Sequence, residues 1–157
     1  MRTIEWKDGV VVIIDQTKLP KETDWIKIEN YREMASAIKD MKLRGAPLIG
    51  VAAAYGLALT AYHSIAKTRE DLIKDLEKTA EVLRNTRPTA VNLFWAIDRV
   101  MKKAKQSNGT RNALAQAIIS EAETMADEDV ESNKRMGKHG ASLIEDGDVI
   151  LAPLMPK

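Results

Sequence analysis

Twenty-one consecutive residues, Ala46 to Ala66, carry no formal charge, and this run limits the folds open to the chain more than any other feature. A stretch of that length can cross a bilayer, or it can be a helix surrounded by neighbours in a protein core. The run is rich in Ala and Gly and also holds Pro47, Tyr55, Thr60, Tyr62, His63 and Ser64. That mixture suits a central helix in which Gly50, Ala52, Ala53, Ala54, Gly56 and Ala58 let other backbones approach closely. The expectation is a core helix and no membrane contact. The first residues, Met1 to Asp8, lack the apolar stretch of a secretion signal, so a cytoplasmic location is expected.

The flanking segments supply what such a helix would pack against. Thr3 to Lys7 and Val10 to Asp15 read as strands around Asp8-Gly9, a dipeptide suited to a two-residue hairpin turn. The β-branched run Val10 to Ile14 suggests a strand covered on both faces, and Trp25 to Ile28 is a candidate third strand. Helical patterning then takes over. Asn30 followed by Glu33 forms a capping box, with Met34, Ala37, Ile38 and Met41 as the apolar stripe. Pro47 sits where proline starts a helix well. Thr68 with Asp71 opens a third helix carrying Leu72, Leu76, Ala80 and Leu83 on one face. A fourth, about Ala90 to Lys105, buries Leu93, Phe94, Ile97 and Met101. Thr110 caps a fifth with Leu114, Ile118, Ala122 and Met125 in register, its end loosened by Gly137 and Gly140. Val149-Ile150-Leu151 then reads as the start of a strand, which either joins the N-terminal strands or opens a domain not present in this chain. The fold class is α+β, mainly α: a small antiparallel sheet followed by a bundle of about five helices over residues 1–145, with 146–157 as the start of a second domain.

Charge and composition remove several kinds of chemistry. Twenty-four basic and 23 acidic side chains leave a net charge of +1, and the short basic run Arg99, Lys102, Lys103, Lys105 has no interleaved aromatics. Nucleic acid is therefore not expected as a partner. The chain has no cysteine and only two histidines, His63 and His139. Both read as ordinary structural or surface residues. Asp127, Glu128, Asp129 and Glu131 point around a helix rather than toward one ion, so neither a metal nor another cofactor is expected.

Two places combine an arginine with a break between helices. Arg44-Gly45-Ala46-Pro47 opens the uncharged helix, where free N–H groups and the positive end of the helix dipole face outward. Arg87-Pro88-Thr89 repeats the arrangement ahead of the fourth helix. Two such loops could converge on one phosphate, whose oxygens match guanidinium forks. Alternatively, each arginine caps the C-terminus of the helix before it. Spacing alone leaves both open.

At these loops the chain also resembles a known family. The segments Arg44 to Gly56 and Arg87 to Ala96 are similar to methylthioribose-1-phosphate isomerases, relatives of the regulatory subunits of translation initiation factor 2B. The continuation Asn92-Leu93-Phe94-Trp95-Ala96 resembles the isomerase branch more than the initiation-factor branch. The resemblance runs from Glu5-Trp6 to Asp146-Leu151. It implies conversion of an aldose 1-phosphate to a ketose 1-phosphate, with Arg44, Gly45, Ala46 and Arg87 at positions that bind the substrate phosphate. It further implies a chain about twice as long, in which the strand at Leu151 continues into a Thr-His-Cys-Asn segment with the catalytic cysteine. A catalytic aspartate would lie beyond, in a Rossmann-like half. Here Ala152 to Lys157 stands in that place, so no residue is assigned a catalytic role and this chain alone is expected to be inactive. The expected partners are a small sugar phosphate and either the missing half or a second copy. A non-catalytic regulatory module and a ribose 1,5-bisphosphate isomerase are the alternatives.

Overall fold

In the computed structural model, which describes residues 2–151, the hairpin closes at Asp8-Gly9 with φ of 44° and 84°. Positive φ at both central residues matches the right-handed twist of the flanking strands. Strands β1 (Ile4–Lys7), β2 (Val10–Ile14) and β3 (Trp25–Ile28) form an antiparallel sheet in the order β1-β2-β3. Ile4, Ile13 and Ile26 stand in one cross-strand row, and Trp6, Val11 and Ile28 in the next. Both rows face the helices. The second face is covered only in part, less than the β-branched run suggested: Ile14 is buried there, but Val10 and Val12 are only half-buried, and Val12 lies between Glu5 and Lys27. Three strands offer one apolar face, and the helices sit on that face alone.

Five helices follow among the described residues: α1 (Tyr31–Lys39), α2 (Ala46–His63), α3 (Arg69–Arg84), α4 (Val91–Gln106) and α5 (Arg111–Ala141). The uncharged run is the hub. Twelve residues of α2 are buried, from Ile49 to Ala61, and α2 packs against each of the other four helices. Its length and apolarity would also fit a membrane span, but burial within the bundle accounts for both. Leu72, Leu76, Ala80 and Leu83 of α3 are buried as the spacing requires, as are Leu93, Ile97 and Met101 of α4; Phe94 is only partly so.

Caps set most of the boundaries. Asn30 Oδ1 accepts from the Arg32 and Glu33 N–H groups. The Glu33 carboxylate reaches back to the Glu29 N–H at 2.8 Å, one residue before the expected partner. Thr68 and Thr110 accept from Asp71 N–H and Ala113 N–H. Met41 departs from the expected stripe. It follows the Asp40 cap with φ of 59° and is exposed. Met41 N–H bonds to Ile38 C=O and Lys42 N–H to Ala37 C=O, which is a Schellman ending with a methionine where glycine is usual. Leu43 takes over the buried position.

α5 does not loosen at Gly137 or Gly140 but runs unbroken through both to Ala141. Its last buried residue is Ala126, so its final 15 residues extend about 22 Å further along the axis. Beyond it, Val149-Ile150-Leu151 forms no strand and pairs with none of β1–β3. A three-residue segment without a paired edge has no ladder to join. Residues 152–157, where the departure from the family pattern falls, lie outside the described residues.

Candidate functional site

The backbone around Arg44 is set by what precedes it. The Schellman turn ends α1, Gln16 N–H bonds to Lys42 C=O at 3.0 Å, and buried Leu43 pins the loop to the core. Arg44 then emerges half-buried, its Nε donating to Met41 C=O at 3.4 Å. Gly45 follows with φ of 99°, a conformation open to glycine and strained for other residues, and leads into Ala46 as the first helical residue. The bond to Met41 gives some weight to the capping role for Arg44, although Met41 lies just past the helix rather than within it.

The second loop is a β-turn with proline in its second position, closed by Ala90 N–H to Arg87 C=O at 3.0 Å. The Arg87 side chain is half-buried and has no hydrogen bond or ion pair among the described residues. The preceding helix α3 ends without it: Thr86 N–H and its hydroxyl both bond to Leu83 C=O.

α1, α3 and α5 each have a side-chain oxygen over their N-terminal N–H groups, whereas α2, starting after Gly45, and α4, starting after Ala90, have none. These two uncapped ends lie together. A Cβ on Gly50 would meet Asn92 C=O at 3.0 Å and the Ala96 Cβ at 3.4 Å, so the second turn of α2 passes close to the backbone of the first turn of α4. At the opposite end, Arg111 follows shortly after α4 and donates to Ala61 C=O and Ser64 C=O at the end of α2. Arg69 does the same for α4, donating to Ser107 C=O at 3.0 Å and Ala104 C=O at 3.3 Å. The two helices therefore run in the same direction. Guanidinium groups satisfy their negative ends, and the Arg44 and Arg87 loops lead into their positive ends. Neither arginine lines any of the four cavities described in the structure.

Gly50→Val is expected to push the two helices apart. The Cβ alone already meets a carbonyl at the limit of contact, and two further methyl groups should destabilise the fold by about 1–3 kcal/mol. A urea denaturation midpoint within error of the wild type would show that Gly50 is not needed for this approach.

The remaining charged residues serve the scaffold. Arg99 reaches Glu121 at 2.7 Å and Glu128 at 2.5 Å, tying α4 to α5, and this arginine holds the Glu128 carboxyl below its ordinary range against the opposing effect of burial. Lys103 and Lys105 pair with Glu121 and Glu77, so the basic run is largely neutralised. Asp127 pairs with Arg2 and Glu131 with Lys134, which divides the acidic cluster. No group of three metal-ligating side chains converges among the described residues. His63 Nε2 lies 2.7 Å from Gly9 C=O, joining the hairpin turn to the end of α2. His139 is exposed in the last turn of α5. Burial, with Glu123 nearby, pushes the Tyr55 phenol up to about 12, where it stacks on Trp6 at 6.0 Å. The roles of Arg69, Arg111 and His63 were not legible in the sequence, because each bonds to a carbonyl at least 35 residues away.

Known proteins match this architecture. The methylthioribose-1-phosphate isomerase of Geobacter sulfurreducens is 47% identical over 152 residues, covering 96% of this chain and 44% of that protein. The enzyme of the same name from Geobacter metallireducens is 45% identical over 151 residues, with the same two shares. Among solved structures, 5-methylthioribose 1-phosphate isomerase from Pyrococcus horikoshii superposes with a TM-score of 0.89 at 48% identity, over 93% of this chain and 41% of that one. Subunit delta of translation initiation factor eIF-2B from A. fulgidus superposes with a TM-score of 0.86 at 44% identity, over 94% and 43%. The chain thus spans less than half the length of these relatives. A family model, the initiation factor 2 subunit family, matches residues 42–155. With that match over most of its length, and with a sheet and five helices that superpose on members of known structure, the chain belongs to the initiation factor 2 subunit family.

Proposed function

We propose that this chain is the substrate-phosphate-binding half of a methylthioribose-1-phosphate isomerase. The observation that carries the reading is the close approach of α2 to the first turn of α4 at Gly50 and Asn92, both helices uncapped and each preceded by an arginine loop. Free N–H groups at Ala46 and Leu48, two positive dipole ends, and the Arg44 and Arg87 guanidinium groups suit a dianionic phosphate monoester. The likeness to enzymes of that name supports the choice of sugar phosphate.

In this reading the chain positions substrate and does not make or break bonds. Phosphorylation of the anomeric oxygen blocks opening to a free aldehyde, so hydrogen must move between adjacent carbons in a site shielded from water. Anchoring the phosphate holds the two carbons against groups on the other half and removes much of the entropic part of the barrier. The catalytic groups lie on that other half, in the same cytoplasmic assembly.

Titration with methylthioribose 1-phosphate, followed through backbone amide resonances, tests the reading. The Gly45, Ala46, Leu48 and Asn92 amides should shift together and saturate, and the isolated chain should show no isomerase turnover. Shifts at only one of the two loops, or turnover by a homogeneous preparation, would overturn it. A second reading, a regulatory subunit module, draws on the likeness to the initiation-factor subunit delta and on the exposed Leu143, Val149 and Leu151. Absence of any phosphate response would favour it.

A further inference from the structure

The connection between α4 and α5 runs only from Ser107 to Thr110, and both of its ends are held. Ser107 C=O accepts from Arg69 Nε at 3.0 Å, and the Thr110 hydroxyl oxygen caps α5 by accepting from Ala113 N–H at 3.2 Å. Between them, Asn108 and Gly109 are exposed. Neither the Asn108 side chain nor the Gly109 N–H makes a hydrogen bond among the described residues. A Cβ on Gly109 would meet only the Ala113 Cβ, at 3.5 Å, so little packs against that stretch of backbone. The other five asparagines of the chain are tied down. Asn30 Oδ1 accepts from two N–H groups. Asn85 is followed by Thr86, whose N–H bonds to Leu83 C=O at 3.0 Å. Asn92, Asn112 and Asn133 lie inside helices, where the N–H of the next residue is already bonded.

We propose that Asn108 is a self-modifying site, at which the folded chain exchanges a side-chain amide for a carboxylate without an enzyme. The reagent is the Gly109 backbone nitrogen. Once it gives up its proton to solvent base, it attacks Asn108 Cγ. A succinimide ring closes, the bond from Cγ to the side-chain nitrogen breaks, and ammonia leaves with a proton from water. A second water then opens the ring. Addition at Cγ leaves aspartate, whereas addition at the former main-chain carbonyl leaves isoaspartate, with the chain running through Cγ. Amide and water have become carboxylate and ammonium, and nothing is oxidised or reduced. Glycine after the asparagine puts no side chain in the path of the attacking nitrogen and allows the backbone to turn toward Cγ. An N–H without a partner has no hydrogen bond to give up first. The aspartate product suits its place, since a carboxylate just ahead of α5 meets the positive end of that helix. Isoaspartate instead adds a methylene to the main chain between Ser107, held by Arg69, and the Thr110 cap. The Arg87 loop precedes the other end of α4, and the proposal does not depend on the phosphate reading.

The full folded chain, held in mildly alkaline buffer and mapped at intervals by proteolysis and mass spectrometry, tests this. The free peptide Ser-Asn-Gly-Thr in the same buffer sets the clock. The segment containing Asn108 should gain one mass unit, and every other asparagine should react at least about tenfold more slowly, the ratio given by roughly 1.4 kcal/mol of activation free energy. Part of the product should accept a methyl group from an isoaspartyl methyltransferase. Asn108→Gln, whose longer side chain must close a larger ring, should lose both signals, and the exposed position leaves folding unaffected. A segment of unchanged mass once the free peptide has been consumed overturns the proposal. So does a second asparagine reacting as fast, or a mass gain in that segment that persists undiminished in Asn108→Gln.

Discussion

Ala53→Asp is expected to leave no cooperatively folded chain at 25 °C. Ala53 has no exposed surface and sits midway along α2, the helix on which α1, α3, α4 and α5 all pack. An ionised carboxylate there has no partner, and burying one costs several kcal/mol at the least. A domain of this kind has only about 5–15 kcal/mol of stability in total. Far-UV circular dichroism with a urea titration reads the outcome. Ile65→Asp, at a position 96% exposed, should change stability by no more than about 0.5 kcal/mol. A sigmoidal transition for Ala53→Asp near the wild-type midpoint would mean that α2 is not the centre of the core.

The second large effect concerns affinity. Arg44→Ala and Arg87→Ala should each weaken methylthioribose 1-phosphate binding by about 1.5–3 kcal/mol, the usual worth of a hydrogen bond to a charged group. That is roughly tenfold to a hundredfold each. Folding should be little affected, since Arg44 makes one long bond and Arg87 none among the described residues. The double variant is the informative measurement. Two side chains on the same phosphate should be coupled, giving a combined loss that differs from the sum by at least about 0.5 kcal/mol. Independent losses would place the two arginines on separate ligands. No loss from either would remove the phosphate role and favour the regulatory reading.

Much of the architecture could be read before any coordinates because the physics that sets it is local. Asp8-Gly9 specifies a turn through the φ values two adjacent residues tolerate. Asn30, Thr68 and Thr110 start helices through oxygens that reach only two or three residues ahead. The uncharged run reads as interior because it has no charged face to turn to water, and its middle, Ile49 to Ala61, is where the burial falls. The arginine loops were visible for the same reason, as breaks that leave N–H groups without partners.

Tertiary structure decided everything that depends on which surfaces meet. Val10 to Ile14 looks buried on both faces, but helices arrived on only one. Val149 to Leu151 has the residues of a strand and forms none, because no neighbouring strand pairs with it among the described residues. Gly137 and Gly140 cost helix propensity, yet their neighbours carry α5 through them. The Gly50–Asn92 approach and the carbonyl caps by Arg69 and Arg111 join residues far apart in the chain. Sequence determined where each element starts and which side of it avoids water. Which of those sides face each other is a property of the whole packing, since burial rewards any apolar contact of fitting shape and does not by itself name the partner.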